Sequence, residues 1–454
     1  MMRLYSTRDV HRMQEGVSFE QAVMRGLAPD GGLFVPENIP SFDPAFFEEK
    51  LPNMAFPEIA FSVAAQLLDG AIPREDLQSM IHAAINFPAP VHRLNNSVSI
   101  LELFHGPSLA FKDFGARFMA QLMAYFNQSS QQELTILVAT SGDTGAAVAA
   151  GFHGLPGIRV FVLYPEGKVS PFQELQIAGW GDNIHAVKVA GDFDDCQRLV
   201  KAAFADHQIN RNIRFTSANS INISRLLAQI FYYFEAYKQW ISETKGVADK
   251  PKLVFSVPSG NFGNLTAGLY AQKMGLPVDH FIAATNANDV FPAFLASGHF
   301  KAQTTIATVS NAMDVGNPSN FERIESLYQE NTTERSTWNN IRAAIGSLAV
   351  SDEDTLDCIQ DVFRKYHYLL DPHTAVGVFA LEAWKANNPD RSDAHGIVLA
   401  TAHPFKFREI IEPLIGEELQ VPAQAGTMKI ATDKHFHIDP DLEYLKKLLL
   451  EKTI

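Results

Sequence analysis

From about residue 94 onward, apolar runs rich in β-branched and aromatic residues alternate with stretches of helical periodicity. No other feature limits the possible folds as strongly. The apolar runs fall at 98–104, 134–139, 159–164 and 184–190, with helical patterns at 113–126, 144–152, 171–180 and 194–205. Strands separated by helices of this length form βαβ units around a mostly parallel sheet. A second alternation begins with a strand at 253–257, a helix at 264–274 and a strand at 281–284, and it ends on a buried strand at 396–401. Helices are expected in between, among them 335–346 and 352–366. Joining the two alternations is a long amphipathic helix over 222–242, whose stripe of Leu226, Leu227, Ile230, Phe231 and Phe234 reads as packing. From 439 to the end the pattern is again an amphipathic helix.

Residues 1–93 show no such alternation. Ser18 is placed to cap a short helix, 26–36 is turn-rich, and 56–81 reads as helical with a break near Asp69-Gly70 and Ile72-Pro73. The phenylalanines at 42, 46, 47, 56 and 61 read as core. The expected class is therefore α/β, with two open, mostly parallel sheet domains and a helical N-terminal domain. The division runs 1–93, then 94–228 with a smaller sheet, then 229–454 with a larger one.

Charge narrows the function classes. The chain carries 37 Lys and Arg against 51 Asp and Glu, a formal net charge of −14. That argues against a nucleic-acid surface or an anionic membrane surface, so any anion must be held by loop amides and a few placed cations. The two cysteines, Cys196 and Cys358, offer neither a metal spacing nor a disulfide framework, which fits a reducing compartment. No apolar leader opens the sequence and no apolar run of about 20 residues interrupts it, so no membrane span is expected. A cytoplasmic protein is the expectation, with no metal site.

Four strand ends carry chemistry, and ligands of open α/β sheets gather at such ends. The first strand, 98–104, turns at Gly106-Pro107 and enters a helix near Asp113, with Lys112 at the junction among Ala110, Phe111 and Phe114. A lysine held among apolar groups has a depressed pKa and can act as nucleophile or base. The second and third candidates are two glycine loops, Ser141-Gly142-Asp143-Thr144-Gly145 and Ser259-Gly260-Asn261-Phe262-Gly263-Asn264, each running from strand to helix. Either one alone is a tight βα turn as readily as a phosphate cradle; two together with Lys112 point to a site for an anionic ligand. Neither matches a dinucleotide or Walker pattern, and zinc-protease and serine-hydrolase motifs are absent from the sequence. A further strand end, at Thr401-Ala402-His403-Pro404-Phe405-Lys406-Phe407, places a hydroxyl at Thr401, while His403 reads as structural. The polar run 216–225, with Asn219, Ser220, Asn222 and Arg225 before the long helix, is either a second anion site or a capping cluster. Asp371 or Thr374 similarly reads as a helix cap.

Taken in order, these stretches resemble the threonine synthase family of pyridoxal-phosphate enzymes, in the tryptophan-synthase-β fold group (fold type II). The likeness starts at Tyr5-Ser6-Thr7-Arg8 and 18–36, then passes through the Lys112 stretch, both glycine loops and Thr401–Phe407. The N-terminal section matches the longer bacterial and fungal type. The resemblance implies that Lys112 is the Schiff-base lysine, that Gly260, Asn261, Phe262, Gly263 and Asn264 hold the cofactor phosphate, and that Thr401 meets the pyridine nitrogen. Fold relatives have Asn where this chain has Asp143, beside the ring hydroxyl oxygen, and a carboxylate there repels an oxyanion unless a proton is shared. Ser141, Thr144, Asn219, Ser220, Asn222 and Arg225 are the implied contacts of the substrate phosphate and carboxylate. The implied reaction is β,γ-replacement on O-phospho-L-homoserine, giving L-threonine, by a monomer or weak homodimer. Two alternatives stay open: a serine or threonine dehydratase of the same fold, and a non-catalytic phosphate-sensing relative.

Overall fold

The computed structural model of the chain describes residues 2–130, 132–247, 249–329, 334–425 and 434–451. Two sheets dominate. The larger has six strands in the order Ile345–Ala349, His280–Thr285, Leu253–Pro258, His395–Ala400, Val98–Glu102 and Val91–Arg93. All neighbours in it are parallel except the last pair. The smaller has five parallel strands in the order His435–Ile438, Ile184–Val189, Ile158–Pro165, Leu134–Ala139 and Arg214–Thr216. Helices cover both faces of such sheets, so central strands are apolar throughout instead of alternating. Leu134–Ala139, Leu253–Pro258, His280–Thr285 and His395–Ala400 are accordingly buried at every residue.

Sheet membership departs from chain order in two places. Val98–Glu102 does not join the strands that follow it within 94–228. It pairs instead with His395–Ala400 in the larger sheet, from Gly396 opposite Val98 to Ala400 opposite Glu102. The tail makes the reverse crossing: His435–Ile438 adds to the smaller sheet, and the helix Leu442–Leu450 packs on Phe193–Ala205 beneath it. Residues 452–454 of the expected tail helix lie outside the described residues. Pairing follows which apolar edge is left uncovered, and that edge can belong to a distant part of the chain. Glu334–Ala344 also stops short and hands directly to the strand Ile345–Ala349, which adds a sheet edge where the periodicity predicts helix to 346.

The N-terminal section is helical over Phe56–Leu68 and Arg74–Ala84, with a break where expected. It also holds a small antiparallel sheet in which Arg3–Ser6 lies between Val17–Ser18 and Phe34–Pro36. Strands of two to four residues are too short to leave a readable alternation. Phe42, Phe46 and Phe47 pack with Phe234 of the long helix Ile223–Glu243. That helix is the hub of the fold. It is buried without interruption from Ile223 to Ala236 and contacts Phe56–Leu68, Lys112–Asn127 and Gly263–Lys273. At its crossing with Lys112–Asn127, a Cβ on Gly115 would stand 2.9 Å from the Arg225 carbonyl oxygen, so only glycine allows this approach.

Candidate active site

The site grows from the carboxyl ends of three strands of the larger sheet. Beyond Glu102 the chain turns, Leu109 takes a left-handed φ of 56°, and Ala110 bridges antiparallel to Ala402. The Phe111 N–H donates to the Thr401 carbonyl at 2.9 Å and the His403 N–H to the Leu109 carbonyl at 3.0 Å. This short ladder starts the helix Lys112–Asn127 directly beside Thr401, which is itself buried. The Lys112 side chain is 16% exposed, with its Nζ 3.6 Å from Asp143 Oδ2. Burial lowers its pKa; Asp143 opposes the shift, and the Lys406 and Arg225 charges reinforce it.

Asp143 opens the helix Asp143–Phe152 at the end of Leu134–Ala139, so it reaches Lys112 from the smaller sheet. Its loop is held by Thr140 Oγ1, which accepts from the Gly142 N–H at 2.9 Å and the Gly145 N–H at 2.8 Å. Gly142 sits at φ 133°, and a Cβ there would fall 2.5 Å from the Gln173 side chain. Ser141 is exposed and Thr144 half-buried on the same turn. The Asp143 Oδ1 atom accepts from Gln173 Nε2 at 3.1 Å and lies 3.0 Å from Lys406 Nζ. Burial pushes the Asp143 carboxyl up, but Lys406 first and Lys112 second outweigh it and hold the pKa well below the ordinary carboxylate range. Gln173 and Lys406 were not among the site residues expected from sequence. Lys406 does lie inside the quoted Thr401–Phe407 stretch, where a lysine flanked by two phenylalanines was the available signal.

The loop 259–264 ends the Leu253–Pro258 strand. The Ser259 N–H donates to the Ala284 carbonyl at 2.8 Å, Phe262 is left-handed at φ 58°, and the helix Gly263–Lys273 follows. A Cβ on Gly260 would be 2.9 Å from Met313 Cα. First-turn amides of a helix have no intrahelical acceptor and lie at the positive end of its dipole, which suits a phosphate. Asn261 is turned toward 319–320, its carbonyl accepting from Asn320 Nδ2 at 3.0 Å. Asn264 Oδ1 accepts from the Tyr232 and Tyr233 hydroxyls at 2.6 and 2.8 Å, while its buried Nδ2 has no partner among the described residues.

The 216–225 run divides. Asn222 caps the long helix through Ser224 and donates from Nδ2 to the Val23 carbonyl at 2.8 Å, so its side chain is engaged by the fold. Asn219 and Ser220 are half-buried. Arg225 is 4% exposed, donates from Nη1 to the Ala218 carbonyl at 2.7 Å, and keeps a buried Nε with no partner among the described residues. It forms no ion pair among the described residues, and burial draws its pKa down to about 10. Arg323, which no motif in the sequence marks, is fully buried and donates to Phe34, Ser220 and Ile221 carbonyls, tying the N-terminal sheet to this run.

The donor set suits pyridoxal phosphate: an amine of lowered pKa could take its aldehyde, helix-start amides its phosphate, and a carboxylate already met by an ammonium leaves the site without an unpaired negative charge. Residues 85–400 match the family described as pyridoxal-phosphate dependent enzyme, residues 3–85 the threonine synthase N terminus, and residues 374–448 the threonine synthase C-terminal region. The threonine synthase of Escherichia coli (strain K12) is 44% identical over 99% of both chains. The chain belongs to the threonine synthase family. It is thus a pyridoxal-phosphate-dependent lyase. The PLP-bound threonine synthase of Brucella melitensis superposes with a TM-score of 0.89 at 34% identity, covering 99% of each chain. Threonine deaminase from Solanum lycopersicum shares the fold alone, with a TM-score of 0.52 at 14% identity. Among the described residues, no helix is long and apolar enough to cross a membrane.

Proposed function

We propose that this threonine synthase family member converts O-phospho-L-homoserine and water to L-threonine and phosphate, with Lys112 as covalent anchor and proton carrier. The observation that carries the assignment of roles is the half-buried Lys112 amine, facing a carboxylate that a second lysine already neutralises. When bound, pyridoxal phosphate supplies an electron sink for the charge left at the substrate α-carbon. Lys112, near neutral, accepts the α-proton and carries protons at the β- and γ-carbons as phosphate leaves and water adds at the β-carbon. Gly260, Asn261, Phe262, Gly263 and Asn264 hold the cofactor phosphate by backbone amides. Thr401 meets the ring nitrogen with a hydroxyl, which does not enforce its protonation. Arg225, with a buried N–H unpaired among the described residues, binds the substrate phosphate or carboxylate together with Ser141, Thr144, Asn219 and Ser220. Asn222 serves that pocket through the cap it forms.

Replacing Lys112 with Ala is expected to remove at least about a thousandfold of the turnover, as loss of a nucleophile and proton carrier together does. Phosphate release from phosphohomoserine, run beside ammonia release from threonine, checks both this and the reaction class. Dominant ammonia release, unaffected by Arg225→Met, would make the chain a dehydratase. We place the enzyme in the cytoplasm, as a monomer or weak homodimer; sedimentation at micromolar concentration tests the latter.

A further inference from the structure

The Asp143 carboxylate stands between two lysines that are treated very differently. Lys406 has a side chain with no exposure, and its three N–H donors have three acceptors: Asp143 Oδ1 at 3.0 Å, the Ser108 carbonyl at 2.7 Å and Gln176 Oε1 at 2.8 Å. An ammonium in that position has each of its N–H donors matched to an acceptor. Lys112 Nζ faces the other oxygen at 3.6 Å, outside ordinary hydrogen-bond range, and lies 5.1 Å from the Phe111 ring centroid. We infer that Lys406 is a positioning residue of the active site, whose ammonium claims the charge of Asp143 and so leaves the neighbouring Lys112 amine free to be neutral and reactive.

The physical reason is a competition for one counter-charge. A buried carboxylate needs a cation, and with Lys406 absent the nearest is Lys112, which would then be held protonated and unable to attack an aldehyde. With Lys406 in place, Gln173 Nε2 completes the shell of Asp143 Oδ1 at 3.1 Å and the carboxylate no longer depends on Lys112. The other charges facing the pair act in the same sense or are remote from it. Arg225, across the helix crossing, disfavours a charge on Lys112, and His373 favours the ionised form of Asp143, as the lysines do. Asp113, the next residue in the Lys112 helix, spends Oδ2 on the Ser108 N–H and faces Lys406. Lys406 also joins the two sheets: it grips the Ser108 carbonyl on one side, and Gln176 and Asp143 on the other. The carboxylate at 143 is thus half of a buried ion pair that presents the site with no net charge, as an amide would.

The test reads Lys112 itself in cofactor-free protein. Pyridoxal phosphate is added across a pH series; the neutral amine adds to the aldehyde, a C=N bond forms and the aldehyde oxygen leaves as water. Borohydride then delivers hydride to that bond, and mass spectrometry counts the adduct at Lys112 against time. Lys406→Met is expected to move the midpoint of the rate profile up by a unit or more, about a tenfold slower capture near neutral pH. Asp143→Asn with Lys406→Met, which removes both charges, is expected to return the midpoint to the native position or slightly below it. An unchanged midpoint in Lys406→Met would overturn the inference, because a purely structural lysine leaves the Lys112 titration in place. If that variant does not fold, the double variant decides. A native-like midpoint in it supports the pairing; a midpoint a unit higher, or a double variant that also fails to fold, refutes it.

Discussion

Asp113 illustrates how a single residue departs from its sequence reading. By sequence it is a helix-start acid beside Lys112; in the structure it is fully buried, with Oδ2 accepting from the Ser108 N–H at 2.8 Å and Oδ1 without a partner among the described residues. Burial raises its pKa to about 6 against the opposing Ser108 hydrogen bonds. A folded pKa above the unfolded value of 3.8 gives stability that is present below 3.8 and lost as pH rises through about 6. Asp113→Asn removes this term. The stability of the native protein relative to that variant should therefore grow by about 2 to 3 kcal/mol between pH 7 and pH 4, read from paired urea unfolding curves. An equal pH dependence in the two proteins would show that Asp113 titrates normally. Lys112, Thr401 and the glycine loops were legible because they occupy strand ends, where sequence order alone locates a site. Lys406 and Arg323 were not, since each is defined by acceptors on remote segments.

At the scale of elements, the site depends on how the Lys112–Asn127 helix crosses Ile223–Glu243. The two bring Lys112 and Arg225 together, and they approach closely at Gly115, where a Cβ would meet the Arg225 carbonyl oxygen at 2.9 Å. Helix propensity alone makes Gly115→Ala stabilising by about 1 kcal/mol. The clash is with backbone, which does not yield as a flexible side chain does, and overpacking of this kind costs about 1 to 3 kcal/mol. Gly115→Ala is expected to be net destabilising in denaturant and to weaken pyridoxal-phosphate binding, since it parts the two helices at the site. A raised denaturation midpoint would show that the crossing has slack. The helices themselves were readable from periodicity and caps such as Ser18 and Asn222. The strand Ile345–Ala349 was not, because it follows a helix without punctuation and takes its identity from pairing with His280–Thr285.

Over the whole molecule, three histidines attached to the larger sheet are held neutral. His280 and His395 begin two of its strands, and His403 follows the second; burial lowers each pKa to about 4 from 6.5. His280 stacks on Trp384, His395 Nε2 shares a hydrogen bond with Ser99 Oγ at 3.0 Å, and His403 Nδ1 accepts from the Phe405 N–H at 3.1 Å. A depressed histidine contributes stability that is present above 6.5 and lost as pH falls through about 4. Each is worth at most about 3 kcal/mol, and together they rival the usual 5 to 15 kcal/mol of a domain. Unfolding free energy should fall steeply from pH 6.5 to 4, and His280→Gln should flatten that slope by about one proton. A flat profile above pH 4 would place these rings in contact with water.

By itself the sequence determined the local layer: apolar runs long enough only for buried parallel strands, the helices between them, and loops whose glycines and hydroxyls mark strand ends. The ordered set of those loops also pointed to the family. Tertiary structure decided what depends on contacts between remote segments. It placed Val98–Glu102 beside His395–Ala400, carried the C-terminal strand to the smaller sheet, and set Lys406 against Asp143. Local pattern records the burial a residue needs, but not which distant surface supplies it. Strand partners and counter-charges are chosen only when the sheets close on one another, and that closure turns Lys112 from a surface-type lysine into one of suppressed charge.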